Sequence, residues 1–233
     1  MTENPWIDYE SNPKSSFHKL DVPVVEAFNA KLLKMKNQEN AERLKLRDEY
    51  TAQPYFGDPE AQVVLLYANP GIDKDGRTME EETPERRELL HLSRLHQLQD
   101  EPFVYLHSAF KGSVGYQWWD RTLGKIIERR GMAAIHKSFF SAELHPYKSR
   151  NYRRLKSEMP TFSYTRHLVL QAMDRDAIVL FGRSVKDWEA VVPELSTYRN
   201  RMTLNSNQNS MISEGNLPPG QFDRLLSVIP DLR

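Results

Sequence analysis

Residues 63–66, Val-Val-Leu-Leu, form an apolar run that stops abruptly at the polar sequence Asn69-Pro70-Gly71. A short run of β-branched and aliphatic residues bounded by Pro and Gly is typical of a fully buried strand, most often in a parallel sheet. Ligands of such sheets bind outside the carboxyl ends of the strands. The run therefore favours an α/β fold with functional residues just after it, although Asn-Pro-Gly is also a common turn sequence.

Further apolar runs and helical patterns alternate along the rest of the chain. Residues 135–144 and 176–181 indicate buried strands, residues 103–106 fit a short strand or an extended loop, and a last strand is predicted near 202–205. The helical patterns lie at residues 84–99, 116–130, 161–173 and 221–229. This alternation implies a central, mainly parallel sheet in a three-layer α/β/α sandwich.

The N-terminal part of the chain has a different pattern. Residues 1–20 form an irregular arm, and residues 23–50 carry the pattern of one long amphipathic helix or a helix pair, with Asp21 as the predicted cap. We therefore divide the chain into an N-terminal arm and helical segment, 1–52, and an α/β domain, 53–233. The helical segment is also a candidate docking element for a protein partner.

The composition excludes several classes of protein. The chain has no Cys, which rules out disulfides, cysteine-ligated zinc and iron–sulfur clusters. No segment approaches the roughly 18 apolar residues that span a bilayer, and the N-terminus lacks a basic region followed by an apolar one. These features predict a soluble, cytoplasmic protein that does not bind membranes.

Charge and motif content narrow the chemistry further. The 32 Lys and Arg residues equal the 32 Asp and Glu residues, so any nucleic-acid binding would depend on local clusters. Gly-rich phosphate loops and nucleophile elbows are absent from the sequence. His91 and His96 are five residues apart, which does not match two ligands on one helix face. We therefore predict that the protein uses neither a cofactor nor a metal.

Three strand exits, taken in order, resemble the uracil-DNA glycosylase superfamily. The lead Gly57-Asp58-Pro59, the strand and Asn69-Pro70-Gly71 are similar to its first motif, especially in the mismatch-specific branch. Residues 143–150 resemble its second motif region, and residues 178–184 resemble its third strand. The resemblance covers residues 55 to 222, and it implies that superfamily's fold and a DNA-base glycosylase that flips a damaged or modified base and needs no cofactor.

The resemblance also implies roles for individual residues. Asn69 would position the attacking water, and Asp73 is the stronger candidate for a general base, although Asp there also suits a helix cap. Glu143 would contact an edge rich in N–H donors, such as that of cytosine or guanine, unless it is paired with Arg150 or Arg183. The candidate base pocket comprises Pro70, Gly71, Ile72, Phe140 and Glu143.

Two segments are candidates for contacts with nucleic acid. The first follows the second strand exit, where His145 could act as an acid or contact a phosphate and Tyr147 could stack on a base. The second occupies the place of the superfamily's His-Pro-Ser loop, but this chain has no His after His167. The candidate contacts are His145, Tyr147, Lys148, Ser149, Arg150, Arg183, Asn205, Ser206, Asn207, Asn209 and Ser210. Both segments also fit ordinary surface loops, so a catalytically inactive protein that binds a nucleotide or nucleic acid is the alternative.

Overall fold

The computed structural model describes residues 2–9, 16–72, 83–206 and 208–233, and within them the chain forms a mixed α/β structure. The strands are β1 (Tyr55–Gly57), β2 (Val63–Tyr67), β3 (Phe139–Glu143), β4 (Ile178–Phe181) and β5 (Arg201–Thr203). The helices are α1 (Val22–Leu32), α2 (Gln38–Leu44), α3 (Pro84–Arg94), α4 (Val114–Arg130), α5 (Met132–Ser138), α6 (Phe162–Asp174), α7 (Val185–Val191) and α8 (Gln221–Ser227). Across these ranges, no helix combines the length and the apolar character needed to cross a membrane.

The five strands form one sheet in the order β1-β3-β2-β4-β5. β2 pairs in parallel with β3 and β4, and β5 is parallel to β4, whereas β1 is an antiparallel edge strand on β3. The predicted α/β class and mainly parallel sheet are therefore confirmed. In the β2–β3 pair, Tyr67 is the register partner of Glu143, so the carboxyl ends of the two strands lie side by side.

The central strand β2 is buried on both faces of the sheet. Val63, Leu65 and Tyr67 belong to one apolar cluster, which also contains residues of α4 and α8. Val64 and Leu66 belong to a second cluster, which contains residues of α1 and α6. Side chains alternate between the faces of a strand, so this apolar run serves two cores at once.

Helix α4 covers the carboxyl end of β2. Ser113 caps it by accepting a hydrogen bond from the Tyr116 backbone N–H at 3.1 Å. The two tryptophans in its second turn, Trp118 and Trp119, meet the Tyr67 ring edge-on, each at a centroid distance of 5.4 Å. These contacts place an aromatic wall beside the end of the strand.

Some elements differ from the sequence prediction. The run 135–144 is split: its first part belongs to helix α5, which begins among the good helix formers after Gly131, and only Phe139–Glu143 is a strand. Val104–Leu106 is a short 3-10 helix rather than a strand or an extended loop. β1 is not among the strands predicted from the sequence, because a three-residue edge strand leaves no periodic pattern.

The N-terminal segment packs against the sheet. Trp6, Val25 and Leu46 lie in the same apolar cluster as Val64 and Leu66. Residues 43–53 also exchange backbone hydrogen bonds with the loop after β3: Arg47 N–H donates to the Lys148 carbonyl oxygen at 3.0 Å, and Gln53 N–H donates to Pro146 at 2.8 Å. The segment therefore supports one of the loops at the carboxyl edge of the sheet.

The edge strand β1 packs so closely against β3 that Gly57 has no room for a side chain. A Cβ atom at this position would lie 2.3 Å from the Phe139 carbonyl oxygen, and the residue has a φ of +99°. Gly57→Ala is therefore expected to lower the free energy of unfolding by about 2 to 5 kcal/mol, because backbone strain and overpacking add. Urea denaturation measures this change. Gly124→Ala is the control: it lies in α4 with open space at its Cβ, and it is expected to leave stability unchanged or to raise it. Equal urea midpoints for Gly57→Ala and wild type would contradict this close packing of β1 against β3.

Candidate functional site

A cavity of about 670 Å³ lies at the carboxyl edge of the sheet, between the segments that follow β2, β3 and β4 and the first turns of α4. This volume falls within the range of about 300 to 1,000 Å³ found for ligand pockets. The residues predicted from the sequence that line it are Asn69, Pro70, Gly71, Ile72, Glu143, Lys148, Ser149, Arg150 and Arg183. The cavity therefore brings together residues from three separate strand exits.

The segments after β2 and β3 run side by side beyond the sheet. The Leu144 N–H donates to the Tyr67 carbonyl oxygen at 3.1 Å, and the His145 N–H donates to that of Ala68 at 3.2 Å. Further along, Gly71 and Ser149 form an isolated parallel bridge. These bonds extend the parallel pairing into the loops and bring Asn69 next to Ser149.

The hydrogen bonds of Asn69 fix which end of its amide is free. Its Nδ2 donates to the Pro70 carbonyl oxygen at 2.9 Å and to Ser149 Oγ at 3.0 Å. Ser149 Oγ donates its own proton to the Asn151 carbonyl oxygen at 2.9 Å, so it can only accept from Asn69. The Oδ1 atom of Asn69 is therefore the end left to accept a hydrogen bond from a ligand or a water.

Glu143 is buried in the cavity wall, with 6% of its surface exposed. Among the described residues, its Oε2 has no hydrogen-bond partner and forms no ion pair. The expected pairing with Arg150 or Arg183 is thus not formed. Burial raises the pKa of the Glu143 carboxyl well above its ordinary value, and the positive charge of Arg183 lowers this pKa only in part. The carboxyl therefore tends to keep its proton.

Two more buried polar atoms on the cavity wall lack a partner within the described part of the chain, Gln53 Nε2 and Tyr67 Oη. Gln53 is held beside Glu143 because the Glu143 N–H donates to the carbonyl oxygen of the next residue, Pro54, at 2.9 Å. Buried polar groups without partners are uncommon in native proteins and call for an explanation such as a bound ligand or water. The sequence analysis missed both residues, because Gln53 resembles a loop residue and Tyr67 a core residue.

Aromatic side chains form a large part of the cavity wall. Phe56, Tyr105, Trp118 and Trp119 line it together with Tyr67. Phe56 meets Trp119 edge-on at 5.3 Å, and Trp118 meets Trp119 edge-on at 4.6 Å. Aromatic faces of this kind suit a flat ligand. Phe140 is absent from this wall, because it pairs with Val64 and so points to the other face of the sheet.

His145 and Tyr147 do not line the cavity. His145 is buried and stacks on Tyr152 at 5.4 Å, and burial lowers its pKa to about 4, so it is neutral near pH 7. A neutral, buried imidazole offers no charge to a phosphate. Tyr147 is fully buried and donates its hydroxyl proton to Asp21 Oδ2 at 2.7 Å. Both residues thus have structural surroundings that the sequence analysis did not foresee.

The loop at residues 205–210 contributes less than predicted. Asn205, Ser206, Asn209 and Ser210 do not line the cavity, whereas Gln208, which was not predicted, does. The loop uses its own donors: the Ser206 N–H donates to Asn216 Oδ1 at 3.0 Å, and Ser210 Oγ contacts Thr122 Oγ1 at 3.1 Å. Asp73 and Asn207 lie outside the described residues.

The basic residues of the site differ in exposure. Arg150 and Arg183 are exposed at the rim of the cavity. Lys148 is only 2% exposed, and its ammonium group lies 5.6 Å from the centre of the Tyr50 ring. The rim therefore offers two guanidinium groups to an anion, whereas Lys148 is part of the cavity wall.

The polar groups of the described cavity lining include amide, carboxyl, hydroxyl, guanidinium and ammonium groups. In the portion of the chain covered by the structure, no group of three or more His, Asp or Glu side chains is arranged to hold a metal ion. The side chains that line the cavity and their arrangement therefore define the site.

No family model, curated protein or solved structure matches this chain.

Proposed function

We propose that this protein is a DNA-base glycosylase of the uracil-DNA glycosylase type, which binds a flipped base in the cavity and hydrolyses its N-glycosidic bond. One observation carries the proposal: Asn69, whose Oδ1 is left to accept a hydrogen bond, and Glu143, whose buried Oε2 has no partner among the described residues, line the same aromatic-walled cavity. Enzymes that act on a base in a duplex bind it in an active-site pocket after flipping.

The chemistry of the reaction matches these groups. Hydrolysis of an N-glycosidic bond passes through a state like an oxocarbenium ion, so a site needs a positioned water and a means to stabilise the departing base. Asn69 Oδ1 would hold the water, and the polar atoms of Glu143, Gln53 and Tyr67 would contact the base. An amide cannot take a proton strongly, so Asp73 stays the candidate general base.

Two further features support the proposal. Arg150 and Arg183 lie exposed at the cavity rim, where the phosphates beside a flipped nucleotide would pass. Apolar clusters cover both faces of the sheet, one with residues of α4 and α8 and the other with residues of α1 and α6. We propose on this basis that the domain is a three-layer α/β/α sandwich.

The test is a panel of oligonucleotides that each carry one normal, damaged or modified base. The protein is expected to release at least one of these bases, detected as strand cleavage at the abasic site in alkali. If no base is released while free bases or nucleotides raise the melting temperature, the protein binds without catalysis. If neither occurs, the proposed function is wrong.

A binding protein without catalytic activity is the second candidate. It is favoured by the absence of any His after His167, which removes the superfamily's usual group for stabilising the departing base. In this case the aromatic wall and the three unpartnered polar atoms would still hold a base. The oligonucleotide panel and the melting assay separate the two candidates.

A further inference from the structure

We propose that Glu143 is a catalytic acid that protonates the departing base, and that the base is of the cytosine class. By this class we mean a pyrimidine whose pairing edge carries an amino group, a ring nitrogen with a lone pair and a 2-oxo group. This inference rests on the proposed function and adds to it a proton donor and a substrate.

Three buried polar atoms without a hydrogen-bond partner among the described residues belong to side chains that line this cavity. Tyr67 and Glu143 are register partners at the ends of β2 and β3. Gln53 lies beside Glu143, because the backbone bonds from Glu143 N–H to Pro54 and from Gln53 N–H to Pro146 hold the two segments together. Glu143 Oε2, Gln53 Nε2 and Tyr67 Oη are all buried in the wall of one cavity. In the proposed complex, one edge of a flat ligand meets both Glu143 and Gln53.

The hydrogen-bonding groups of Glu143 and Gln53 match the pairing edge of cytosine. A protonated carboxyl offers one O–H donor beside one acceptor oxygen, and the Gln53 amide nitrogen can only donate. The edge of cytosine offers an N4–H donor and an N3 acceptor to Glu143, and an O2 acceptor to Gln53. Adenine has no oxo group for Gln53, and guanine presents two adjacent N–H donors, which favour an ionised carboxylate.

Transfer of the Glu143 proton favours cytosine over uracil. Uracil can also pair with a protonated carboxyl, but its N3 carries a hydrogen and has no lone pair to take another. Cytosine N3 has that lone pair. As the C1′–N1 bond breaks, its electron pair stays with the base, the Glu143 proton passes to N3, and the base leaves neutral. The water held by Asn69 then bonds to C1′, and its surplus proton returns to the Glu143 carboxylate through solvent.

The surroundings of Glu143 favour the protonated form. Arg183 carries the positive charge that acts on the carboxyl, and burial outweighs it, so the pKa of Glu143 is raised. Among the described residues, the other titratable side chains that line the cavity are those of Tyr67, Tyr105, Lys148, Arg150 and Tyr152. Because the acid must carry its proton to act, base release should be highest below the raised pKa of Glu143 and should fall as the pH rises through it.

The experiment compares wild type with Glu143→Gln and Glu143→Ala in two assays. One measures release of cytosine, 5-methylcytosine, uracil and guanine from oligonucleotides. The other measures binding of an oligonucleotide with a 2′-fluorinated cytidine that resists hydrolysis. Glu143→Gln keeps a donor and an acceptor, so it should bind within about threefold of wild type but release base about 100-fold more slowly or worse, as expected when a general acid is lost. Glu143→Ala should lose both, and exposed Glu158→Gln is the unchanged control.

The outcomes separate this inference from the proposed function. Release by Glu143→Gln at the wild-type rate would overturn the acid role, and preferred release of uracil or guanine would overturn the base class. If wild type releases no base, but binds the cytidine analogue in a way that Glu143→Ala abolishes, the glycosylase proposal and the proton step are wrong. The assignment of a cytosine-class ligand to Glu143 is then supported.

Discussion

The Asn69→Ala protein is expected to release base at least about 100-fold more slowly than wild type while remaining folded. In wild type, two hydrogen bonds from Nδ2 hold the amide so that Oδ1 is free for the water. Alanine removes that oxygen and leaves the cavity otherwise intact, so the loss should fall on the rate and only weakly on binding. Single-turnover release from the best substrate of the oligonucleotide panel measures it.

Ser149→Ala provides a graded comparison. It removes one of the acceptors that orient the Asn69 amide but leaves the Pro70 carbonyl oxygen in place, so a smaller loss, of about tenfold, is expected. Asn40→Ala, on α2 and remote from the cavity, serves as the matched control and should retain the wild-type rate. A wild-type rate for Asn69→Ala would mean that another group holds the water.

The residues at the ends of β2 and β3 could be predicted as site residues because a local sequence pattern determines where they lie. The apolar run that forms β2 ends where polar residues begin, and parallel pairing with β3 must then place the two exits next to each other. Asn69, Ser149 and Glu143 follow from this rule, and all three line the cavity. Their chemical roles stay predictions.

The sequence does not show which side chains of β3 face the cavity. The run 135–144 mixes apolar and polar residues without a strict alternation, so its pattern does not show that the strand begins at Phe139 or that Phe140 points away from the cavity. A shift of one residue exchanges the two faces of a strand. A strand that is buried on both sides carries no alternation from which the shift could be detected.

Other features depend on contacts between distant segments. His145 and Tyr147 look like exposed loop residues in the sequence, but packing of the N-terminal segment and of Tyr152 buries them. Gln53 and Tyr67 carry no motif. They are candidates because their buried side-chain atoms have no hydrogen-bond partner among the residues that the structure covers. Only the three-dimensional structure reveals this.

The Asp21→Ala protein is expected to unfold with a melting temperature roughly 10 °C below that of wild type. Asp21 begins α1 but its side chain does not cap it; the buried carboxylate instead accepts hydrogen bonds from Tyr147 Oη at 2.7 Å, Thr161 Oγ1 at 2.6 Å and Thr161 N–H at 3.1 Å. Burial raises the pKa of Tyr147, so its hydroxyl stays a donor. Alanine would leave three buried donors without an acceptor, a loss of about 3 to 5 kcal/mol.

Asp21→Asn tests whether hydrogen bonding explains the loss. The amide keeps one acceptor oxygen and can donate to the hydroxyl groups, which can rotate, so its melting temperature should fall between those of alanine and wild type. Asp100→Ala, at an exposed position, is the control and should melt like wild type. Because residues 43–53 hold the cavity loop at Lys148 through backbone bonds, loosening this segment should also weaken ligand binding. A melting temperature unchanged by Asp21→Ala would show that the N-terminal segment is not anchored through this carboxylate.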